Sequence, residues 1–565
     1  MTDSIPAQML DRFANFGELL RYLRRRAGLT QTELSIAVGY SDAQISRLEQ
    51  NLRLPNIPNV EARFLPALGL KHEPAARERL LQLAAEAQRQ KADAEAATEP
   101  PLTAMTPSIA VLPFLNLSGD PGNEYFCDGL AEELLNALTK IKPLFVVARA
   151  SAFSFKGKDL DARDIGRRLN VDTIVEGSVK KAGDQLRVSV QLINADNGFQ
   201  LWSERFERRM TDLFAMQDEI TLAIIEQLKV ELLEKEKLAL LGRHQGDLEA
   251  YNLYLKGRYY WAQRPQGIHK AIEYFELAID RDPRSALARA GLADCYVTLG
   301  SWENGTLPPV QAMAKAKSAA SKALELDSRL AEAHATLAYR TTHHDWDWAT
   351  AEAQFRRALE LNPNYAVSHH WYSHYLTAMG RTEDSLAASK RCLELDPLDL
   401  VINIHMAWHH HFARQYEEAV DQCWKTNELH PNSFWPPYFF ALAYQQQGKI
   451  AEAAVEFQKA IQMSGNVTFT TAGLGHLYAS SGKSAEGRAI FDELRLRAKT
   501  IYVPAYDLAL VCAGLGWMDQ AFEWLDRAYE ERSGWLTYLK IEPRLDILRG
   551  DSRFNDLLRR VRLIS

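Results

Sequence analysis

Pro363, Pro397 and Pro431 follow one another at intervals of 34 residues, and each closes an L-x-P motif (LNP, LDP, LHP). Counting on by 34 reaches Gly465 and Lys499, both at breaks between helical stretches. Two more combs run in phase with the first. One is Gly380, Arg414, Gly448, Gly482 and Gly516; the other is Ser385, Ala419, Ala453, Gly487 and Ala521. The last comb holds only small residues, as close helix–helix contact inside each unit requires. A unit this short buries its apolar face only by stacking on the next, so residues 250–535 are expected to form about eight stacked helical units. Pro283 to the matching Ser328 spans 45 residues rather than 34. The excess includes SWENGTLPP, a turn-forming insert expected on the surface.

The pattern resembles the tetratricopeptide repeat, which implies an α-solenoid. The tail (536–565) resembles sequences that close such arrays, and is expected to cap the apolar end of the last repeat. Histidines gather inside the array: His343 and His344, then HHWYSH (His369, His370, His374), then HMAWHHH (His405, His409, His410, His411). His370 and His374 lie four apart on one helix face, which the repeat register turns toward the concave groove. His405 and His409 read as rotated away from it. A transition-metal site would need a third ligand, His411 or a carboxylate. Among Trp371, Tyr372, Trp408 and Trp435, a polar-aromatic groove suits a peptide or protein partner better. Tyr339, His370, His374 and His411 are therefore the expected partner-binding surface, and no metal or other cofactor is expected.

The sharpest local chemistry lies near the N-terminus, in GELLRYLRRRAGLTQTELSIAVGYSDAQISRLEQNLRLP. Gly28-Leu29 stops one helix, and Thr30 with Glu33 forms a capping box that starts the next. That helix ends at Gly39. Ser41 with Gln44 opens a second box and a third helix running to about Glu49. Two short helices across a glycine-containing turn form the helix-turn-helix pattern. In the third helix Ile45 and Leu48 face the core. At about 100° per residue, Ala43, Ser46, Arg47 and Gln50 then face outward, with Asp42 at the edge. Arg47 can present two donors to guanine, Ala43 suits a thymine methyl, and Asp42 can accept from cytosine. Gln31 and Thr32 stand where a phosphate would meet a helix N-terminus.

Across roughly Phe16 to Leu70 the segment resembles the XRE (Cro and phage-repressor) family. The resemblance implies a phosphate contact at Gln31 and base contacts at Asp42, Ala43, Ser46 and Arg47. An acidic residue at 42 departs from the family's neutral or basic choice, and equally suits a helix N-terminus. Between Met1 and Arg53 seven arginines face six acidic residues, and the whole chain carries a net charge of −7. Contact with double-stranded DNA must then be local, and weak charge favours paired half-sites, hence a homodimer or higher oligomer. The alternative is a non-enzymatic interaction scaffold whose helix-turn-helix domain has lost DNA.

Between the two, residues 108–228 alternate strand and helix signals in the order βαβαββ, which predicts a small α/β domain with a mixed sheet. SIAVLPF and LFVVAR read as strands, DGLAEELLNALTKI and ARDIGRRLNV as helices, and TIVEGSVKKAGDQLRVSVQLIN as a hairpin around Ala182-Gly183-Asp184. The motifs VLPF, VEGSV and the strand ending in QL resemble the TolB-like N-terminal domain, a resemblance that implies no catalytic residue. SGDPG has neither the GKS/GKT of a phosphate loop nor the GxGxxG spacing, and reads as a turn.

The predicted chain is thus multidomain and mainly α. A helix-turn-helix domain (1–85) is followed by a linker (86–107), the α/β domain (108–228), a connecting helix (229–249), the solenoid (250–535) and the cap (536–565). No Ser-His-Asp set, Walker motif, kinase loop or HExxH is present, so no enzyme is expected. Five scattered cysteines, no leader-like N-terminus and no apolar span point to a cytoplasmic bacterial regulator that does not engage a membrane.

Overall fold

A computed structural model describes residues 10, 13–40, 42–51, 54–70, 73–98, 106–230, 232, 247–301 and 307–564, without the side chains of 42–43 and 90–98. The chain falls into two compact units, Met1–Met105 and Thr106–Ser565.

The first unit is all helical: α1 Phe16–Arg26, α2 Gln31–Val38, α3 Asp42–Glu49 and, after short helical turns over 57–67, α4 Pro74–Thr98. Asn15 caps α1 by accepting from the Glu18 amide, and the Thr30/Glu33 capping box of α2 is formed on both sides. Gly28 and Gly39 end α1 and α2 in the left-handed region at φ 73° and 72°, open to glycine at no steric cost. Leu19, Leu20, Leu34, Ile45, Phe64 and Leu80 make a core from which solvent is excluded. The segment expected to begin a linker at 86 instead continues α4 to Thr98. Its Ala, Gln and Glu residues are good helix formers despite the lack of aliphatics, and Gln88 Nε2 ties it to the Pro55 carbonyl at 2.8 Å.

In the second unit, β1 (Ser108–Val111), β2 (Leu115–Asn116), β3 (Phe145–Val146), β4 (Thr173–Ala182), β5 (Gln185–Asn194) and β6 (Gln200–Arg209) form one mixed sheet. Its order is β3-β1-β4-β5-β6, with β2 also pairing β4. β1 runs parallel to β3 and β4, while β4–β5 and β5–β6 are antiparallel. Helices α5 (Glu124–Thr139), α6 (Ala162–Leu169) and α7 (Leu213–Gln227) accompany it. The hairpin turns at Gly183, φ 59°, as expected. β6 escapes pattern reading because, of its ten residues, only Phe206 is buried.

Eight helix pairs follow, from Leu248–Ala262 with Ile268–Arg281 to Ala505–Gly514 with Met518–Glu530. The glycine comb marks the turn within each of the last five pairs: Gly380, Gly448, Gly482 and Gly516 all have positive φ, and Arg414 adopts the same conformation at φ 59°. Of the small-residue comb, Ser385, Ala419, Ala453 and Ala521 are buried, and a Cβ at Gly487 would stand 2.8 Å from that of Ala479. Part of the insert, 302–306, and most of the expected connecting helix lie outside the described residues.

The sheet domain is built into the array. Glu132 of α5 accepts from Arg258 of the first repeat and from Arg149. Asn364, in the turn after the third repeat, donates through Nδ2 to the Leu144 carbonyl at 2.7 Å. Further along, Asp396 Oδ1 accepts from the amide and hydroxyl of Ser151.

The C-terminal segment does more than seal the last repeat. Its turns at Gly534–Tyr538 and Pro543–Leu548 run back along the first helices of repeats three to seven. Tyr538 meets His343, and His476 donates to the Arg544 carbonyl. Arg414 pairs with Asp546. Trp535, Leu536, Tyr538, Leu539, Leu545 and Leu548 are all buried, more apolar surface than a terminal cap needs, and the groove is where it goes.

Candidate nucleic-acid interface

The site is best built from Glu49, which the helical wheel alone marks. It follows Ile45 by four residues and so lies on the buried face of α3, where a carboxylate requires a partner. Arg24 of α1 supplies it: Nε donates to Oε1 at 2.5 Å and Nη2 to Oε2 at 3.0 Å. Arg21 Nη2 donates to the Glu49 carbonyl at 3.0 Å, and Gln31 Nε2 to Oε2 at 2.9 Å. Burial alone would raise the Glu49 carboxyl, but the hydrogen bonds from Arg24 and Gln31 and the nearby arginine charges outweigh it and hold it below the ordinary range. Gly17 completes the joint, since a Cβ there would lie 2.5 Å from the Leu48 carbonyl oxygen. Neither Arg24 nor Glu49 belongs to any motif of the sequence. The signal it does carry is a charged residue in register with Ile45.

This joint sets α2 and α3 as two parts of one surface. Ile45 and Leu48 are buried, whereas Ser46 and Arg47 are half-buried and Gln50 is exposed. Gln50 Nε2 donates to Ser46 Oγ at 3.2 Å, so those two residues share a polar edge. α3 begins at Asp42, but the side chains of Asp42 and Ala43, and the expected Ser41 cap, lie outside the described residues. Gln44 is buried. At the start of α2 the capping box uses the amides of Thr30 and Glu33. Gln31 and Thr32 occupy the first two helical positions. Gln31 is half-buried against Glu49 and Thr32 is exposed.

The expected partner groove is a different matter. Tyr339, His374 and His411 are buried at 5%, 2% and 1% exposure, and only His370 is partly exposed. The C-terminal segment occupies the space: Tyr538 OH lies 3.3 Å from His374 Nδ1. These four residues therefore do not form an open partner surface. The reading of His405 and His409 as rotated away is also corrected. His405 Nδ1 stands 2.7 Å from His370 Nε2, and His409 Nε2 stands 3.4 Å from His374 Nδ1. A side chain on the flank of one helix faces the neighbouring helix of the stack, so it need not point into the groove to reach its counterpart.

Residues 15–80 match a helix-turn-helix domain family, and residues 105–223 match the second domain of HilA/YgeH-like transcriptional regulators. The chain is a helix-turn-helix domain followed by a small mixed sheet and tetratricopeptide-like repeats. Putative adenylate cyclase 3 of Rhizobium meliloti (strain 1021) is 38% identical over 246 residues, 43% of this chain and 41% of that protein. Transcriptional regulator HilA of Salmonella typhimurium is 26% identical over 174 residues, 31% of each chain. The chain thus spans less than half the length of the curated relatives it matches. Similar solved structures include YrrB, a TPR protein with an unusual peptide-binding site (20% identity, TM-score 0.25, 34% of this chain and 93% of that one). A tetratricopeptide repeat protein from Parabacteroides merdae ATCC 43184 has 14% identity and TM-score 0.30, covering 56% and 99%. The human IFIT1 dimer with m7Gppp-AAAA has 14% identity and TM-score 0.37, covering 62% and 86%. The expectation of no enzyme is overturned by the first relative, which carries the name of a cyclase. The motifs sought in the sequence belong to hydrolases, kinases and zinc proteases, and do not bear on that class. Among the described residues, no helix is long and apolar enough to cross a membrane.

Proposed function

We propose that the chain is a sequence-specific, DNA-binding transcriptional regulator with an XRE-type head. α3 enters the major groove with Ser46, Arg47 and Gln50, preceded by Asp42 and Ala43, and α2 sets Gln31 and Thr32 against a phosphate. The observation that carries this reading is the Gln31–Glu49 hydrogen bond, which holds the start of α2 beside the end of α3. It makes one rigid surface of a phosphate contact and a base-reading face. The near balance of charge in the head favours a homodimer on two half-sites. The middle domain reads as TolB-like, and the body from 106 onward takes the input, a peptide, protein or small ligand. For a small ligand it offers a cleft of about 570 Å³ beside β2 and β4, lined by Phe114, Lys156, Lys158, Glu176, Gln191 and Ser203.

Selection of binding sites from a random double-stranded DNA pool by the full chain, at one fixed salt concentration, tests this. The expected result is one enriched motif repeated as an inverted pair about one helical turn apart. A pool that stays random after selection would refute the DNA-reading head.

A further inference from the structure

Three imidazoles from two adjacent repeats press ring nitrogens together inside the second unit. His370 and His374 lie one turn apart on the first helix of the fourth repeat (Ala366–Ala378), and His405 lies on the first helix of the fifth (Leu400–Phe412). His370 Nε2 and His405 Nδ1 are 2.7 Å apart, His374 Nε2 and His370 Nε2 3.0 Å, and His374 Nε2 and His405 Nδ1 3.1 Å.

Hydrogen bonding alone cannot satisfy that triangle. His374 and His405 are buried and His370 is half-buried, surroundings that favour the neutral imidazole. Each neutral ring nitrogen carries a hydrogen or presents a lone pair. Two states shared among three mutual neighbours leave two of them alike. At least one contact therefore sets lone pair against lone pair, or hydrogen against hydrogen.

The bonds through Tyr538 accommodate the metal-binding tautomer of His374. His343 Nδ1 lies 3.0 Å from the Tyr339 carbonyl, which can only accept, so that nitrogen carries the hydrogen. His343 is buried, which favours the neutral ring, so its Nε2 accepts from the Tyr538 hydroxyl at 2.9 Å. Tyr538 oxygen can then accept from His374 Nδ1–H at 3.3 Å. In that tautomer the lone pair sits on His374 Nε2, aimed at the other two rings, and His409 Nε2, 3.4 Å from Nδ1, presents its own lone pair. A ring whose far N–H is held by a hydrogen-bond acceptor is how metal-binding histidines are oriented.

We propose that His370 Nε2, His374 Nε2 and His405 Nδ1 bind one divalent transition-metal ion of the zinc class. Three neutral imidazole nitrogens suit Zn2+ or Co2+, and not the oxygen-seeking Mg2+ or Ca2+. With bonds of about 2.0–2.1 Å, tetrahedral ligands stand roughly 3.3 Å apart, so the rings need open only by a few tenths of an ångström. A fourth position falls to water or an external ligand, reached from the side where His370 is partly exposed. The ion would add to the contacts that already join repeats four and five to the C-terminal segment, among them Tyr538 with His374 and Arg414 with Asp546.

The test uses the full, untagged chain, stripped with a chelator and titrated with Co2+ or Zn2+ alone. The expected result is one ion per chain retained through gel filtration, the visible absorption of four-coordinate Co2+, and a zinc X-ray absorption shell of imidazole nitrogens at about 2.0–2.1 Å. His405→Gln and His374→Gln should each lower affinity at least tenfold, while His410→Ala, on the exposed side of the same helix, leaves it unchanged. Tyr538→Phe should weaken binding by about tenfold without removing the ion. Failure of the wild-type chain to retain an ion overturns the proposal whatever the variants do. So does retention that His405→Gln and His374→Gln leave unaltered, which would place the ion elsewhere.

Discussion

Glu49 takes both Nε and Nη2 of Arg24, so the last residue of α3 is fastened to α1 by a two-pronged ion pair whose side chains keep 9% and 1% of their exposure. Breaking one half of a buried pair costs about 3–5 kcal/mol, because the other charge stays in the core without its partner. Glu49→Gln is expected to loosen the first unit by that order. The twelve tryptophans all lie at or beyond Trp202, so their fluorescence follows the second unit alone. Hydrogen exchange on α1 peptides follows the first. Lost protection in α1 with unaltered fluorescence is expected; full protection would show that the pair does not hold the head together.

Gly17 makes the same joint sensitive to a single methyl. Its added Cβ would lie 2.5 Å from the Leu48 carbonyl oxygen and 2.6 Å from that of Glu49, backbone atoms that can yield only if a helix moves. Gly17→Ala should cost about 1–3 kcal/mol in overpacking and tilt α3. Specific DNA affinity should then fall severalfold although no DNA-facing side chain has changed. Binding to a selected operator at fixed salt, equal to that of wild type, would show that α3 keeps its pose.

Much of this architecture is legible in the amino-acid sequence, for physical reasons that differ by element. The repeat count is written in the spacing, because each turn must recur at a left-handed position, and even Arg414 obeys it. The caps of α2 are local and so readable from Thr30, Glu33 and Gly39. What escapes such reading depends on distant contact. Tyr538 reaches His343 across 195 positions, so no period reveals that the tail closes the groove. His405 meets His370 through the stacking of two helices, while a helical wheel treats each helix alone. Edge strand β6 carries one buried side chain and therefore no alternation to detect.

Arg47 and Gln31 should separate when mutated. Arg47→Ala removes the side chain able to make a bidentate guanine contact, about 1–3 kcal/mol per half-site, so specific affinity should fall at least tenfold in a dimer. Gln31→Ala removes a phosphate contact and its 2.9 Å bond to Glu49, and should weaken scrambled DNA as well as operator, unlike Arg47→Ala, which strikes the operator alone. Ile45, at 0% exposure, gives the unfolded reference as Ile45→Asp. Competition binding on both DNAs decides the matter. If Arg47→Ala bound operator and scrambled DNA as wild type does, α3 would not be the reading element.

Asp507, at the start of the eighth repeat, is 1% exposed and its Oδ2 has no hydrogen-bond partner among the described residues. Burial pushes its carboxyl up to about 7, against the Thr468 hydrogen bond and the charges of Arg544 and Arg497. The folded chain therefore holds a proton that the unfolded chain releases near the ordinary aspartate value of about 3.9. Stability from this group is complete below about pH 4, declines as pH rises toward 7, and is fully lost above it, a total of about 4 kcal/mol. Asp507→Asn stays neutral throughout and carries a packing cost that does not vary with pH. The difference in urea midpoint, variant minus wild type, should then grow between pH 4 and 7 and level off near pH 8. Two curves that run parallel across that range would mean that Asp507 is ionised in the folded chain.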